Sequence, residues 1–147
     1  MIVAKPKRNT LFSLGLFIAL AVGMAVYITL LILKSDNPAW YQYVLTTLLY
    51  PIGIGLALKV IVGYKSVTIG KNKIEINYPV QFRKLQYDLK DITSWKETSV
   101  KTATGTYKEV AIQFNNKKTL NLSYQEHTDY SKVVQYLKKK CSRAQVK

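Results

Sequence analysis

Over the first 63 residues the apolar positions come in runs; after Lys65 they come in alternation. Leu11–Leu33 is a stretch of 23 residues without one charged side chain. At about 1.5 Å per residue such a helix rises roughly 35 Å, against a hydrocarbon core of about 30 Å. Backbone N–H and C=O groups find no water in lipid, so a segment crossing there has to be helical. A buried core helix of a soluble protein is the alternative, but the rest of the chain is too short and too polar to wrap it on all sides. The second run, Val44–Gly63, has 20 residues. Pro51 lies inside it and predicts a kink, because the ring removes a backbone donor. Between the runs, Lys34–Tyr43 holds the turn formers Asn37 and Pro38, followed by Trp40, Tyr41 and Tyr43, which read as interfacial anchors.

Beyond Lys65 the period becomes two. Val67 and Ile69 precede a tight turn at Gly70–Asn72, and Ile74, Ile76 and Tyr78 follow until Pro79 stops the strand. Leu85, Tyr87 and Leu89 continue the alternation. Ile92–Val100, with Trp95, is a less regular strand, and a turn at Ala103–Gly105 comes after it. Val110, Ile112 and Phe114, a turn at Asn115–Lys118, then Leu120 and Leu122 complete six strands. Connections this short make the sheet antiparallel. Tyr130, Val133, Leu137 and Cys141 then recur at helical spacing, with Lys138–Lys140 in the last turns, where cations suit the helix dipole. Ser123 and Glu126 have the spacing of a capping box and Thr128 is a second N-cap candidate. The helix is expected to lie on the sheet and close its core, and residues after Ser142 to fray. The predicted class is an α+β membrane protein. It has a basic N-terminus (1–10), a transmembrane hairpin (11–63, helices 11–33 and 44–63) and a small antiparallel β-domain closed by a C-terminal helix (64–147).

Charge sharpens this picture. The chain carries 22 Lys+Arg against 8 Asp+Glu. From Lys65 onward there are 17 basic and 7 acidic side chains, a surplus of ten. Lys5, Lys7 and Arg8 precede the first run and Lys65, Lys71 and Lys73 follow the second, whereas Lys34 and Asp36 cancel in the loop between. The positive-inside rule then places both termini in the cytoplasm. The first run exceeds the 7–15 apolar residues, roughly, of a signal peptide, so it reads as an uncleaved anchor. A lysine-rich domain beside an anionic leaflet gains about 1 kcal/mol per basic residue near the surface. Lysines supply charge without the fork geometry that reads one headgroup. Nucleic acid is disfavoured, since the tyrosines alternate as core positions do and do not interleave with basic residues as a stacking platform.

Within the runs, Gly15, Ala19 and Gly23 fall at i, i+4 and i+8, with Ala21 and Ala25 expected near that face, and Gly53 and Ala57 form a second small-residue pair. Such stripes let another helix approach closely in lipid. The first stripe is expected to pack mostly against the chain's own second helix, and both stripes to meet a larger membrane partner. Lys59 is the one charge inside either run. It lies near the cytoplasmic end, where its stem can reach the headgroups.

Candidate chemistry is sparse. Cys141 and His127 are single, which excludes Cys/His zinc clusters and dithiol pairs. The sequence contains no HExxH, GxSxG, Walker A or GxGxxG. His127 reads as an exposed residue near a helix start and Cys141 as a small core residue, while Asp88 and Asp91 are expected to pair with Lys84, Lys90 or one another's neighbours. No metal, cofactor or small-molecule substrate is expected, and an enzyme is the weakest class.

VTIGKNKIEI at Val67–Ile76, YDLKDITSW at Tyr87–Trp95, VAIQFNNKKTLNLS at Val110–Ser123 and the closing helix at Tyr130–Lys140 carry a resemblance. The chain resembles the small bacterial membrane proteins with a pleckstrin-homology-like (PH-like) cytoplasmic domain, including the YcxB-like group. The resemblance implies the bacterial inner membrane and a partly open barrel of about seven strands capped by a helix. Six strands are counted, so the seventh is expected from splitting Ile92–Val100 or Thr102–Phe114. It implies no common catalytic residues. Eukaryotic relatives bind phosphoinositides through a basic cluster in the first hairpin. Lys71 and Lys73 hold that position here, but Ile74, Glu75 and Ile76 follow where an arginine stands in those relatives, which argues against phosphoinositide specificity. The function expected is that of an accessory or scaffolding subunit of a larger inner-membrane protein complex. Its Lys71, Lys73, Lys138 and Lys139 would meet an acidic partner or anionic phospholipid. A stand-alone anionic-lipid-binding module is the alternative.

Overall fold

Both apolar runs are helical, and both helices are longer than the runs. In the computed structural model, which describes residues 1–147, α1 spans Arg8–Lys34 and α2 spans Trp40–Gly63. The backbone ladder continues past the apolar boundary until the Asn37–Pro38 turn stops it, so Trp40, Tyr41 and Tyr43 form the first turn of α2 instead of a loop. The mean hydropathies of α1 and α2 are 2.7 and 1.9, and 11% of each apolar window is buried, so neither is the core helix of a folded unit. α2 runs unbroken through Pro51.

The two helices, residues 8–63, form one unit. They close through Ala21, Val22 and Ala25 of α1 and Gly53 of α2. A Cβ built on Gly53 would stand 2.7 Å from Val22 Cγ2 and 3.8 Å from Ala21 Cβ. Ala25 is fully buried, and Thr29 donates to its carbonyl at 2.8 Å while sharing a 3.0 Å hydroxyl contact with Tyr50. The expected contact through Gly15, Ala19 and Gly23 is not made: all three are exposed, and a Cβ on Gly15 or Gly23 would meet nothing within 4 Å. Ala21 and Ala25 are not near that face as expected: each lies two residues beyond a member of the stripe, about 200° around the helix, which is the opposite face. The chain has small residues on both faces of α1 and uses the second for itself.

The second unit comprises Met1–Lys7 and Tyr64–Lys147. Its first sheet has the order β1 (Ile2–Ala4), β2 (Ser66–Gly70), β3 (Lys73–Tyr78), β4 (Arg83–Asp88). Its second has the order β5 (Ile92–Thr102), β6 (Gly105–Phe114), β7 (Thr119–Ser123). Every pairing is antiparallel, and the two sheets do not join into a closed barrel. Alternate residues such as Val67, Ile76, Trp95, Ile112 and Leu122 point into one core, over which α3 (Tyr130–Lys140) lays Tyr130, Val133, Val134 and Leu137. The seventh strand is not a split of β5 or β6. It is the N-terminal segment, with Ile2 opposite Ile69 and Ala4, fully buried, opposite Val67.

Three further expectations are corrected. Of the partners expected for Asp88 and Asp91, Lys84 and Lys90 are not used: the Asp88 N–H donates to Asp91 Oδ2 at 2.9 Å and Asn115 Nδ2 to Asp91 Oδ1 at 3.2 Å, which fixes the 3-10 turn between the sheets. Residues after Ser142 do not fray, since Val146 donates its N–H to the Trp95 carbonyl at 2.9 Å along the edge of β5. The α3 start is not capped by Ser123 or Thr128: Asp129, in left-handed conformation, precedes Tyr130, and the Thr128 hydroxyl accepts from the Lys5 N–H at 3.0 Å.

Candidate interaction surfaces

The basic residues singled out in the sequence stand on separate elements. Lys71 and Asn72 form the β2–β3 turn, with φ of 50° and 62°, the geometry of a two-residue hairpin loop, and Lys73 opens β3. All three are exposed. Lys138 and Lys139 lie on the last turns of α3. Lys138 Nζ is 3.6 Å from Glu97 Oε2, whose other oxygen accepts from the Tyr130 hydroxyl at 3.2 Å. Half of the α3 pair is therefore already engaged inside the domain.

An open groove of about 490 Å³ runs between α3 and the β5–β6 hairpin. Glu97, Lys108 and Lys138 give its walls both signs of charge, and Thr106, Ser131 and Gln135 add hydrogen-bonding groups. Tyr124 and Tyr130 meet edge to face at 5.8 Å along it. Burial, followed by the Glu97 carboxylate beside it, pushes the Tyr130 phenol well up, so it stays protonated and donates. Tyr124 is held in turn by Lys7, whose Nζ donates to the Tyr124 carbonyl at 2.6 Å and stands 4.6 Å from the ring centroid. No set of three His, Cys, Asp or Glu side chains is placed to hold a metal.

The Ser123–Thr128 connection is sewn to the N-terminal segment. Lys7 N–H donates to Glu126 O at 2.7 Å and Thr128 N–H to Lys5 O at 2.8 Å. His127 is inside this joint and 7% exposed, contrary to the exposed residue expected from the sequence. Its Nδ1 accepts from the Ser123 N–H at 3.3 Å. Burial, then the Lys65 charge, lowers the His127 pKa below its ordinary value. Lys65 is itself lowered by burial, with Glu126 and Glu109 opposing. Cys141 is buried at the end of α3 and burial pushes its thiol up, which leaves it a poor nucleophile.

On the hairpin, Trp40 and Tyr41 stand exposed on the first turn of α2, edge to face at 6.5 Å, with Tyr43 exposed beside them. Lys59 is exposed in the last turns of α2. Gly53 is buried and Ala57 half-buried, whereas Gly15, Ala19 and Gly23 face outward. The sequence reading passes over one surface feature, the β3–β4 turn, where Phe82 is 97% exposed at a φ of 51°. Its signal is two apolar residues, Val80 and Phe82, inside a turn that polar residues would close. No protein family, curated protein or solved structure matches this chain.

Proposed function

We propose that this chain is a non-enzymatic, membrane-anchored accessory or scaffolding subunit of a larger bacterial inner-membrane complex. The hairpin lies in the bilayer with both termini on the cytoplasmic side, and the PH-like domain docks on the partner there. Phe12, Leu16, Leu20, Leu48 and Leu58 leave apolar surface exposed around the hairpin, which water would disfavour at about 25 cal/mol per Å². In favour of the PH-like reading are seven strands in two antiparallel sheets with a C-terminal helix over one core.

The observation that carries the accessory role is the outward stripe Gly15–Ala19–Gly23. The hairpin closes through Ala21, Val22, Ala25 and Gly53, so the stripe is left for a helix from outside the chain. The groove beside α3 offers a second docking place of mixed charge. Purification in mild detergent through a C-terminal tag is expected to bring a stoichiometric membrane partner. Gly15→Leu with Gly23→Leu is expected to release it without unfolding the hairpin, because neither side chain meets anything within the chain. A chain that purifies alone overturns the proposal.

The surplus of ten basic residues in the domain favours a second reading, a stand-alone module for anionic lipid. Residues 64–147 alone lack β1, so its test uses the full chain. Lys71→Glu, Lys73→Glu, Lys138→Glu and Lys139→Glu together would then abolish the preference for anionic over zwitterionic vesicles in a flotation competition.

A further inference from the structure

Three segments of the chain meet at one end of the four-stranded sheet. β1 ends at Ala4 opposite Val67, β2 begins at Ser66 opposite Asn77, and β3 passes to β4 one residue further on, at the Tyr78–Arg83 pair. This end therefore carries the exit toward α1, the entry from α2, and the turn Pro79–Phe82. Only Lys5–Lys7 separate β1 from α1, and only Tyr64–Lys65 separate α2 from β2. Extended chain covers at most about 3.6 Å per residue. Whatever surrounds the helix ends is thus within short reach of this end of the sheet.

The turn itself is built against the preferences of water and backbone. Phe82 is 97% exposed and Val80 49%. A φ of 51° puts Phe82 in the left-handed region, where a bulky side chain crowds its own backbone. Glycine or asparagine would close the same turn without either penalty. The turn nonetheless closes on two backbone bonds, Gln81 N–H to Tyr78 O at 3.2 Å and Phe82 N–H to Pro79 O at 3.4 Å, with the Phe82 ring standing outward. Arg83 and Lys84 follow, both exposed, and no acidic residue occurs between Glu75 and Asp88. An apolar tip with cations behind it is the composition of an element that enters an anionic bilayer surface. The ring takes the boundary between headgroups and acyl chains, and the cations take the phosphates.

We propose that Val80 and Phe82, backed by Arg83 and Lys84, form a tip that inserts into the anionic leaflet beneath the domain. The inference rests on the reading that α1 and α2 lie in a bilayer. It moves the lipid contact away from Lys71 and Lys73, which stand at the other end of β2 and β3, roughly 16 Å along the strands.

The test uses the full chain in vesicles of phosphatidylcholine and phosphatidylglycerol, in a Cys141→Ala background. Single cysteines carry a fluorescent label, and acrylamide is the aqueous quencher. The reporter is Val80→Cys, with Phe82 intact. Leu20→Cys, mid-way along α1, and Lys117→Cys, in the β6–β7 turn, are the references. Quenching at position 80 is expected to be about fivefold weaker than at 117, as burial at the headgroup boundary requires. Phe82→Asp, or Arg83→Glu with Lys84→Glu, is expected to restore it to the level of 117. Phe82 is almost fully exposed, so its replacement removes no packing from the domain. Position 80 quenched like 117 while position 20 is protected overturns the inference alone. So does protection at 80 that survives all three substitutions. Position 20 quenched like 117 overturns the membrane reading and the inference together.

Discussion

At the scale of single residues, burial decides which substitutions matter. Gly53 is the closest point of the hairpin, with 2.7 Å between a built Cβ and Val22 Cγ2. Gly53→Leu is expected to destabilise the full chain in detergent by about 1–3 kcal/mol, as overpacking does, while Gly15→Leu leaves its thermal midpoint unchanged. Trp95 is 1% exposed and donates its Nε1–H to the Cys141 carbonyl at 2.8 Å. Trp95→Phe removes that bond while the carbonyl keeps the Ala144 N–H at 3.1 Å, so the expected cost on chemical denaturation is that of one hydrogen bond, about 0.5–1.5 kcal/mol. His127 supplies the pH dependence. Its pKa in the folded chain lies below the ordinary 6.5, so below that pH the unfolded chain holds more protons. The stability contributed by neutral His127 is complete above 6.5 and is lost as pH falls toward the folded value. A pH series of thermal midpoints should show this loss. His127→Asn, which keeps an acceptor for the Ser123 N–H, should flatten the same series.

At the scale of elements, local pattern and distant pairing part company. Five of the six strands from Ser66 to Ser123 and the helix α3 were legible because each announces its period in its own residues, while the less regular Ile92–Val100 was placed by the turns around it: Ile74, Ile76 and Tyr78 alternate, and Tyr130, Val133 and Leu137 recur at helical spacing. β1 was not legible. Three residues hold no period, and its partner β2 lies more than sixty positions away, beyond the whole hairpin. The same distance hid the place of His127, which pairs with Pro6 in a β-bridge beside the Lys7–Glu126 backbone bond. Deletion of Met1–Ala4 is expected to strip amide protection from β2 in hydrogen exchange while leaving β6 and β7 protected. Equal loss across both sheets would mean that they open as one.

At the scale of the whole molecule, the expected arrangement is a hairpin through the membrane with the domain and the N-terminus on one side. A cysteine at Asn37, in the turn between the helices, should react with an impermeant maleimide added to intact cells, and a cysteine at Lys117 should react only after lysis. The reverse pattern would invert the topology. The sequence alone determined the two apolar helices, the six-strand count after Lys65 and the amphipathic α3, because helix and strand periods are written in neighbouring side chains. Only the tertiary structure decided which face of α1 packs on α2, that the first residues complete a sheet, and that the β3–β4 turn shares an end with both tethers. Those are choices among faces and partners that the local pattern leaves equal, and they are settled by contacts between residues far apart in the chain.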